Sequence, residues 1–258
     1  MDTRVKSLTR VNDFVVKFAN VNGSGSASAN GLFARAVLRM GVPVAARNIF
    51  PSNIQGLPTW YEVRIVEAGW RGRRGGVDLM VAMNPQTWDK DVAELEAGGY
   101  LFYDSTKPLP PSKFREDVVA LGVPLTAITN SEYSDPRQRQ LFKNIIYLGA
   151  LSALLDLDPA EIERLFGEQY KGKEKLLDSN AKALALGRDW TGQHVDPDAV
   201  KLKVRRAGRA SRRRPRAPRT TWAIPGCSTG RCCARPPARP CAGSPARTSR
   251  SPTRSPSR

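Results

Sequence analysis

The sequence predicts an α/β fold, in which a Rossmann-like, mainly parallel sheet carries helices on both faces. Strand-like apolar segments alternate with segments whose apolar residues recur at helical spacing, a pattern typical of parallel sheets covered by helices. Residues 77–84, VDLMVAMN, are apolar almost throughout, as expected of a central strand buried on both faces. Residues 13–41 run from a strand through a glycine-serine turn into a helix, a layout that suits phosphate binding.

The individual elements follow from apolar periodicity and from the residues that start and stop helices. Asn84 and Asp158 are predicted helix caps, because each precedes a proline at the first helical position. The predicted strands are 13–21, 42–49, 60–66, 77–84, 98–104 and 123–129. The predicted helices are 26–41, 85–96, 130–156 and 158–170, and residues 173–190 close the ordered body.

The net charge of +17 is concentrated in the C-terminal segment. Residues 206–258 contain 14 Arg and no Lys, Asp or Glu, whereas the remainder has 27 basic and 24 acidic residues. The body is therefore nearly neutral, which disfavours nucleic acid as its partner. The segment has few large apolar residues, so it is predicted to be disordered. It is either a basic arm that binds polyanions or the product of a frameshift near residues 201–214.

The predicted organisation is an N-terminal extension over residues 1–12, one folded domain over 13–195, and a linker and basic tail over 196–258. All four Cys lie in the tail, at spacings that fit neither zinc nor iron–sulfur sites, so no metal site is predicted. The chain shows no signal peptide and no long apolar span, so a cytoplasmic location without membrane contact is expected.

The glycine-serine turn is the first candidate binding site. Gly23 and Gly25 match the dinucleotide-binding pattern, although Ser28 stands where a third glycine is usual. Such a turn exposes backbone N–H groups at the N-terminus of a helix, where the dipole favours an anion. We therefore predict a cofactor-binding site at Gly23, Ser24, Gly25 and Ser26. The alternative is that these residues only connect a strand to a helix.

Arg47 is the second candidate, at the predicted end of the second strand. Sites for NAD or FAD place an acidic residue about 20 positions past the turn, whereas this sequence has AARNI. An arginine suits a phosphorylated ribose, as in NADP or coenzyme A. The alternative is a solvated arginine at the end of a strand.

Three further features of the sequence bear on function. RGRRGG, residues 71–76, is either a polyanion clamp or an exposed hairpin loop. Residues 48–65 form an apolar, proline-constrained segment, which packs against its own domain or against a partner. The loop from Phe50 to Trp60 is predicted to be part of an inter-domain or inter-subunit surface. No nucleophile motif accompanies His194, the single histidine, and Asp78 and Asp104 at strand ends fit capping or ion pairing better than catalysis. No catalytic residue is predicted.

Three segments resemble the gamma-type domain of the 2-oxoacid:ferredoxin oxidoreductases. They are residues 20–65, beginning NVNGSGSASANGLFARAVLRMG, residues 73–110, and residues 131–156. The resemblance implies a Rossmann-like domain associated with coenzyme A and with subunit assembly. In the family, a 2-oxoacid such as pyruvate or 2-oxoglutarate is decarboxylated oxidatively to an acyl-coenzyme A. Thiamine diphosphate belongs to a separate beta subunit, and electrons pass through iron–sulfur clusters to ferredoxin.

The chain departs from the family where the basic tail begins. A pyrimidine-type thiamine-enzyme domain would follow in the fused alpha subunit, so this chain resembles a first domain cut short and is expected to be inactive alone. Two other functions stay open at this point. They are a nucleotide-binding oxidoreductase that uses NADP, and a nucleic-acid-binding protein that acts through the tail.

Overall fold

A computed structural model of the chain describes residues 7–51, 54–196 and 198–208, all within one compact unit. The strands are β1 Arg10–Val11, β2 Asp13–Val21, β3 Val44–Ile49, β4 Pro58–Val66, β5 Val77–Ala82, β6 Leu95–Asp104, β7 Val119–Val123 and β8 Leu202–Lys203. The α-helices are α1 Ser26–Arg39, α2 Trp88–Ala93, α3 Leu125–Glu132, α4 Pro136–Leu154, α5 Pro159–Gln169 and α6 Glu174–His194. Short 3-10 helices cover Pro85–Thr87 and Pro111–Lys113.

The main sheet has six strands in the order β3-β4-β2-β5-β6-β7. Strands β2, β5, β6 and β7 are parallel, which confirms the predicted fold class. Strand β4 is antiparallel to both of its neighbours and lies between β2 and β3. All six residues of β5 are buried, as the apolar run in the sequence predicts.

Helices cover the two faces of the sheet unequally. One face packs against α1, α3, α4, α5 and α6, and includes Phe14, Val16 and Phe18 of β2. The other face packs against the short helix α2 through a smaller cluster that includes Trp60 and Met80. Successive residues of each strand point to opposite faces, so a strand position decides which layer a side chain joins.

Most predicted elements are confirmed, but two are wrong. Residues 123–129 are not one strand, because β7 ends at Val123 and α3 begins at Leu125. Residues 130–156 are not one helix, because Pro136 disfavours helical geometry at the residue before it. Asp135 instead caps a new helix, its side chain accepting a hydrogen bond from the amide of Arg137. The predicted caps Asn84 and Asp158 are confirmed.

The packed unit continues past both predicted domain boundaries. β1 pairs in parallel with β8, and Val200, Leu202 and Val204 are buried. The amide of Ala207 donates to the carbonyl oxygen of Met40 at 2.9 Å. The basic tail was predicted to be disordered. From residue 209 onward the tail lies outside the described ranges, so its disorder stays a prediction. Among the described helices, none combines the length and apolar character needed to cross a membrane.

Helices α4 and α6 approach each other so closely that each needs a glycine at the contact. A Cβ atom added to Gly149 would lie 2.2 Å from the carbonyl oxygen of Leu184. One added to Gly187 would lie 2.0 Å from the carbonyl oxygen of Ile146. Because both obstacles are backbone atoms, a larger residue must push the helices apart.

Gly149→Ala is therefore expected to lower the free energy of unfolding by about 1–3 kcal/mol, the usual cost of overpacking. Gly167→Ala is the matched control in α5, because an added Cβ there meets nothing within 4 Å. The control is expected to raise the free energy of unfolding by about 0.5–1 kcal/mol, since alanine favours the helix. Urea denaturation followed by circular dichroism measures the free energy of unfolding of both variants. If Gly149→Ala stabilised the protein as much as Gly167→Ala does, the close contact between the helices would be contradicted.

Asp104, at the end of β6, joins that strand to α3 and α4. Its Oδ2 atom accepts hydrogen bonds from Lys143 Nζ, at 2.5 Å, and from the hydroxyl of Thr126. Its Oδ1 atom accepts from the hydroxyl of Thr106 at 2.6 Å. Burial alone would raise the pKa of Asp104, but these hydrogen bonds and the Lys143 charge outweigh it and lower the pKa to about 2. The capping and ion-pair interpretation is thus supported.

The folded-state pKa of Asp104 lies below the value of about 3.9 in unfolded chains. Its contribution to stability is therefore complete above about pH 4 and is lost as the pH falls towards 2. Asp104→Asn is expected to lower the free energy of unfolding at pH 7 by about 1–3 kcal/mol and to flatten its decrease between pH 4 and 2. Urea denaturation at several pH values tests this, with the exposed Asp178→Asn as control. An unchanged acid profile in Asp104→Asn would contradict the assignment.

Candidate ligand-binding site

The turn between β2 and α1 has the geometry that the sequence predicts. Gly23 and Gly25 have φ values of 84° and 79°, in the left-handed region that glycine adopts without strain. Gly25 precedes α1, and no side chain of the described residues caps the helix there. The first amides of α1, from Ser26 onward, therefore face the end of the helix without a capping acceptor.

The structure brings all four predicted turn residues together, and a Cβ atom at either glycine would also meet an exposed side chain of the same protein. A Cβ atom added to Gly23 would lie 2.7 Å from Cγ of Gln55, and one added to Gly25 would lie 2.8 Å from Cδ2 of Leu141. The hydroxyl of Ser24 donates to that of Ser26 at 3.0 Å. The turn by itself therefore does not identify a ligand site.

A cavity of ≈ 360 Å³ adjoins the turn, at the edge of the sheet where the parallel strands end. Its volume falls in the range of roughly 300–1,000 Å³ that is usual for small-molecule sites. Ligands of open α/β sheets bind at this edge. No charged side chain of the described residues lines the cavity. Its polar lining is rich in amide side chains, and Phe50 and Tyr61 add aromatic surface; the amides are those of Asn20, Asn22, Asn30 and Asn48.

Asn20 has the least satisfied side chain of this group. The residue is 4% exposed, and its Nδ2 atom has no hydrogen-bond partner among the described residues. Asn30, by contrast, accepts a hydrogen bond from the hydroxyl of Tyr147 at 2.7 Å. A buried donor without a partner costs about 1–3 kcal/mol. Nδ2 itself is buried, but Asn20 lines the cavity, so a change of its side-chain rotamer would let an acceptor group there pair with Nδ2 and recover this free energy.

Arg47 is not brought to this cavity, contrary to the prediction that it acts with the turn. It pairs across the sheet with Glu62, and its Nη2 atom lies 2.9 Å from Glu62 Oε1. Both side chains lie on the face opposite α1, whereas Asn48, the next residue, lines the cavity. The reason is strand alternation, because neighbouring residues of β3 point to opposite faces.

Two of the three arginines in residues 71–76 form ion pairs on the second face of the sheet. Arg73 and Arg74 form ion pairs with Glu62 and Asp78, and Arg10 lies 3.4 Å from the other oxygen of Asp78. Paired cations offset the large cost of burying these carboxylates. The segment is a loop, as one interpretation held, but not a hairpin, because β2 separates β4 from β5.

The loop before β4 is hydrogen-bonded to the glycine turn. The amide of Asn22 donates to the carbonyl oxygen of Leu57 at 2.8 Å. The amide of Gly56 donates to the carbonyl oxygen of Asn22 at 3.0 Å. Phe50 and Leu57 remain 48% and 38% exposed. The loop therefore holds apolar side chains at the surface beside the cavity.

Asn20, Asn48 and Tyr61 line the cavity but were not predicted as site residues. Asn20 and Asn48 are near the ends of predicted strands, so their position at the sheet edge was inferable. Their common face was not, because it depends on the antiparallel insertion of β4. No group of three or more His, Cys, Asp or Glu within the described ranges is placed to hold a metal ion.

Comparison with known proteins places this fold in a family. Residues 15–190 match the family model described as pyruvate ferredoxin/flavodoxin oxidoreductase. The ketoisovalerate oxidoreductase subunit VorA of Methanothermobacter thermautotrophicus is 29% identical over 122 residues, which are 46% of this chain and 24% of VorA. The 2-oxoglutarate synthase subunit KorC of Archaeoglobus fulgidus is 23% identical over 192 residues, or 74% of this chain and 94% of KorC. The chain thus spans about a quarter of VorA but nearly all of KorC.

Solved structures share the fold. The 2-oxoglutarate:ferredoxin oxidoreductase of Magnetococcus marinus, with 2-oxoglutarate, coenzyme A and succinyl-CoA bound, superposes with a TM-score of 0.65 at 23% identity. The match covers 76% of this chain and 34% of that one. The keto/oxoacid ferredoxin oxidoreductase gamma subunit of Geobacter sulfurreducens superposes with a TM-score of 0.55 at 23% identity. That match covers 70% of this chain and 99% of the gamma subunit. The predicted resemblance is confirmed, and the chain belongs to the pyruvate ferredoxin/flavodoxin oxidoreductase family.

Proposed function

We propose that this chain supplies the gamma-type domain of a 2-oxoacid:ferredoxin oxidoreductase and that its glycine turn contacts coenzyme A. The complete enzyme would decarboxylate a 2-oxoacid oxidatively to an acyl-coenzyme A, with ferredoxin as electron acceptor. Thiamine diphosphate would be bound by the beta subunit, and iron–sulfur clusters by other domains or subunits. This domain would contribute binding and assembly, and no catalytic residue is assigned to it.

The lengths of the relatives support a domain-level role. KorC is matched over 94% of its length, whereas VorA is matched over 24%. A domain of this kind therefore occurs both as nearly a whole subunit and as part of a longer chain. The NADP alternative has less support, because Arg47 is engaged with Glu62.

The unpaired amide of Asn20 beside the uncapped start of α1 carries the coenzyme A proposal. Both features are hydrogen-bond donors, and their residues, Asn20 and Ser26, line one cavity. Coenzyme A carries phosphate and amide oxygens, which are acceptors. The amide of Ser24 already donates to Val21, so the proposed backbone donors are those of the first turn of α1.

Asn20→Leu is expected to weaken coenzyme A binding about three- to tenfold, because the ligand loses a donor. The same change is expected to raise the free energy of unfolding by up to about 1 kcal/mol, since an unpaired buried donor is removed. Calorimetric titration of the full chain with coenzyme A and urea denaturation measure the two effects.

Asn144→Leu is the matched control for this change. Asn144 is also buried, but its Nδ2 atom donates to the carbonyl oxygen of Ser24 at 2.9 Å. Its substitution is therefore expected to lower the free energy of unfolding by about 1 kcal/mol. If Asn20→Leu is destabilised in the same way and binds coenzyme A with unchanged affinity, Asn20 has only a structural role.

The proposed assembly surface is the loop that includes Phe50 and Leu57. Leu57→Asp is expected to abolish co-purification with the beta subunit and to change the free energy of unfolding by less than about 0.5 kcal/mol, because Leu57 is partly exposed. Leu176→Asp, on the exposed side of α6, is the control. Loss of co-purification in the control alone, or in neither variant, would place the interface elsewhere.

A further inference from the structure

The cavity beside the glycine turn lacks a cation, although the proposed ligand is strongly anionic. Coenzyme A carries a diphosphate and a 3′-phosphate on the same ribose. The first turn of α1 offers amides to one of these groups, but no Lys or Arg of the described residues lines the cavity. A second anionic group needs a positive charge close by.

A groove of ≈ 470 Å³ continues from the cavity along the outer side of α1, and it does contain a cation. The groove and the cavity share Ala27 and Tyr61 as lining residues. Gly31 also lines the groove, and a Cβ atom added there would meet nothing within 4 Å. The cation is Arg35, whose exposed side chain lines the groove.

Arg35 has no carboxylate partner among the described residues. Its Nη2 atom donates to the neutral side chain of Gln169 at 2.9 Å, and its Nε atom donates to the carbonyl oxygen of Gly31 at 3.3 Å. Arg39, one turn later, instead forms an ion pair with Glu168 at 2.6 Å. Burial raises the pKa of Tyr61 and the charge of Arg35 opposes this, as expected of a guanidinium beside the ring.

The hydrogen bond to the Gly31 carbonyl oxygen holds the Arg35 guanidinium about one helical turn N-terminal to its own Cα atom. Gly31 is five positions after Ser26, a rise of about 7.5 Å, so the guanidinium at its carbonyl oxygen lies roughly 7–10 Å along the helix from the first amides. Two phosphates on one ribose have a separation of this kind. We infer that Arg35 binds the second phosphate of the ligand, the role that the sequence assigned to Arg47. This inference rests on the proposed coenzyme A site.

The test compares coenzyme A with dephospho-coenzyme A, which lacks only the 3′-phosphate. The wild-type full chain is expected to bind coenzyme A about ten- to a hundredfold more tightly than dephospho-coenzyme A. This ratio corresponds to the free energy of one hydrogen bond to a charged group. Arg35→Gln is expected to remove this preference and to leave dephospho-coenzyme A binding unchanged. Arg39→Gln is the control on the same helix and should keep the preference. Calorimetry, supported by NMR titration at millimolar ligand, measures all affinities.

A second variant blocks the groove without changing its charge. Gly31→Leu fits the helix and places a side chain in open space, so it is expected to fold and to weaken coenzyme A binding at least about tenfold.

The failures of the two proposals are distinguishable. If the wild-type chain binds both ligands equally, or if Arg35→Gln weakens both equally, coenzyme A binding stands and the role of Arg35 is wrong. If the wild-type chain binds neither ligand at millimolar concentration, the coenzyme A site is wrong, and the role of Arg35 with it.

Discussion

The pairing of β4 with β2 is the constraint on which the site depends. The two strands run antiparallel over nine residue pairs, from Asp13 opposite Val66 to Val21 opposite Pro58. This register places Asn20 and Tyr61 on the face covered by α1. β3 adds to β4 in turn, so Asn48 reaches the cavity while Arg47 is directed to the other face. A shift of one residue would exchange these faces.

The second face of the sheet is stabilised by polar pairs rather than by a layer of long helices. Lys17 pairs with Glu94, and the indole N–H of Trp60 donates to Asp91 at 2.7 Å. Burial raises the pKa of Asp91, against the hydrogen bonds from Thr87 and Trp60. Buried carboxylates need such partners, since an isolated buried charge is costly. Lys17, Arg47, Arg73 and Arg74 are therefore paired with carboxylates within the fold, whereas Arg35 on α1 meets a neutral partner.

The sequence was sufficient for the fold class and for most elements, because apolar periodicity and caps such as Asn84 act locally. The sequence-based prediction failed where a local pattern is compatible with both a strand and a helix. Leu125 and Thr129 suit a strand, yet they lie one turn apart and are buried on one side of α3. The glycine turn was predictable from its residues, but the cavity was not. Its walls come from three strands whose order follows from long-range pairing, which local patterns do not encode.

The side-chain amide of Asn20 reports most directly on whether the cavity is a ligand site. In the NMR spectrum of the full chain, its Nδ2 protons are expected to shift on addition of coenzyme A, in step with the backbone amides of Ser26 and Ala27. The shifts should saturate at one common ligand concentration, because one bound group would accept from both. Coenzyme A that shifts other residues and leaves the Asn20 amide and the start of α1 unchanged would contradict the site.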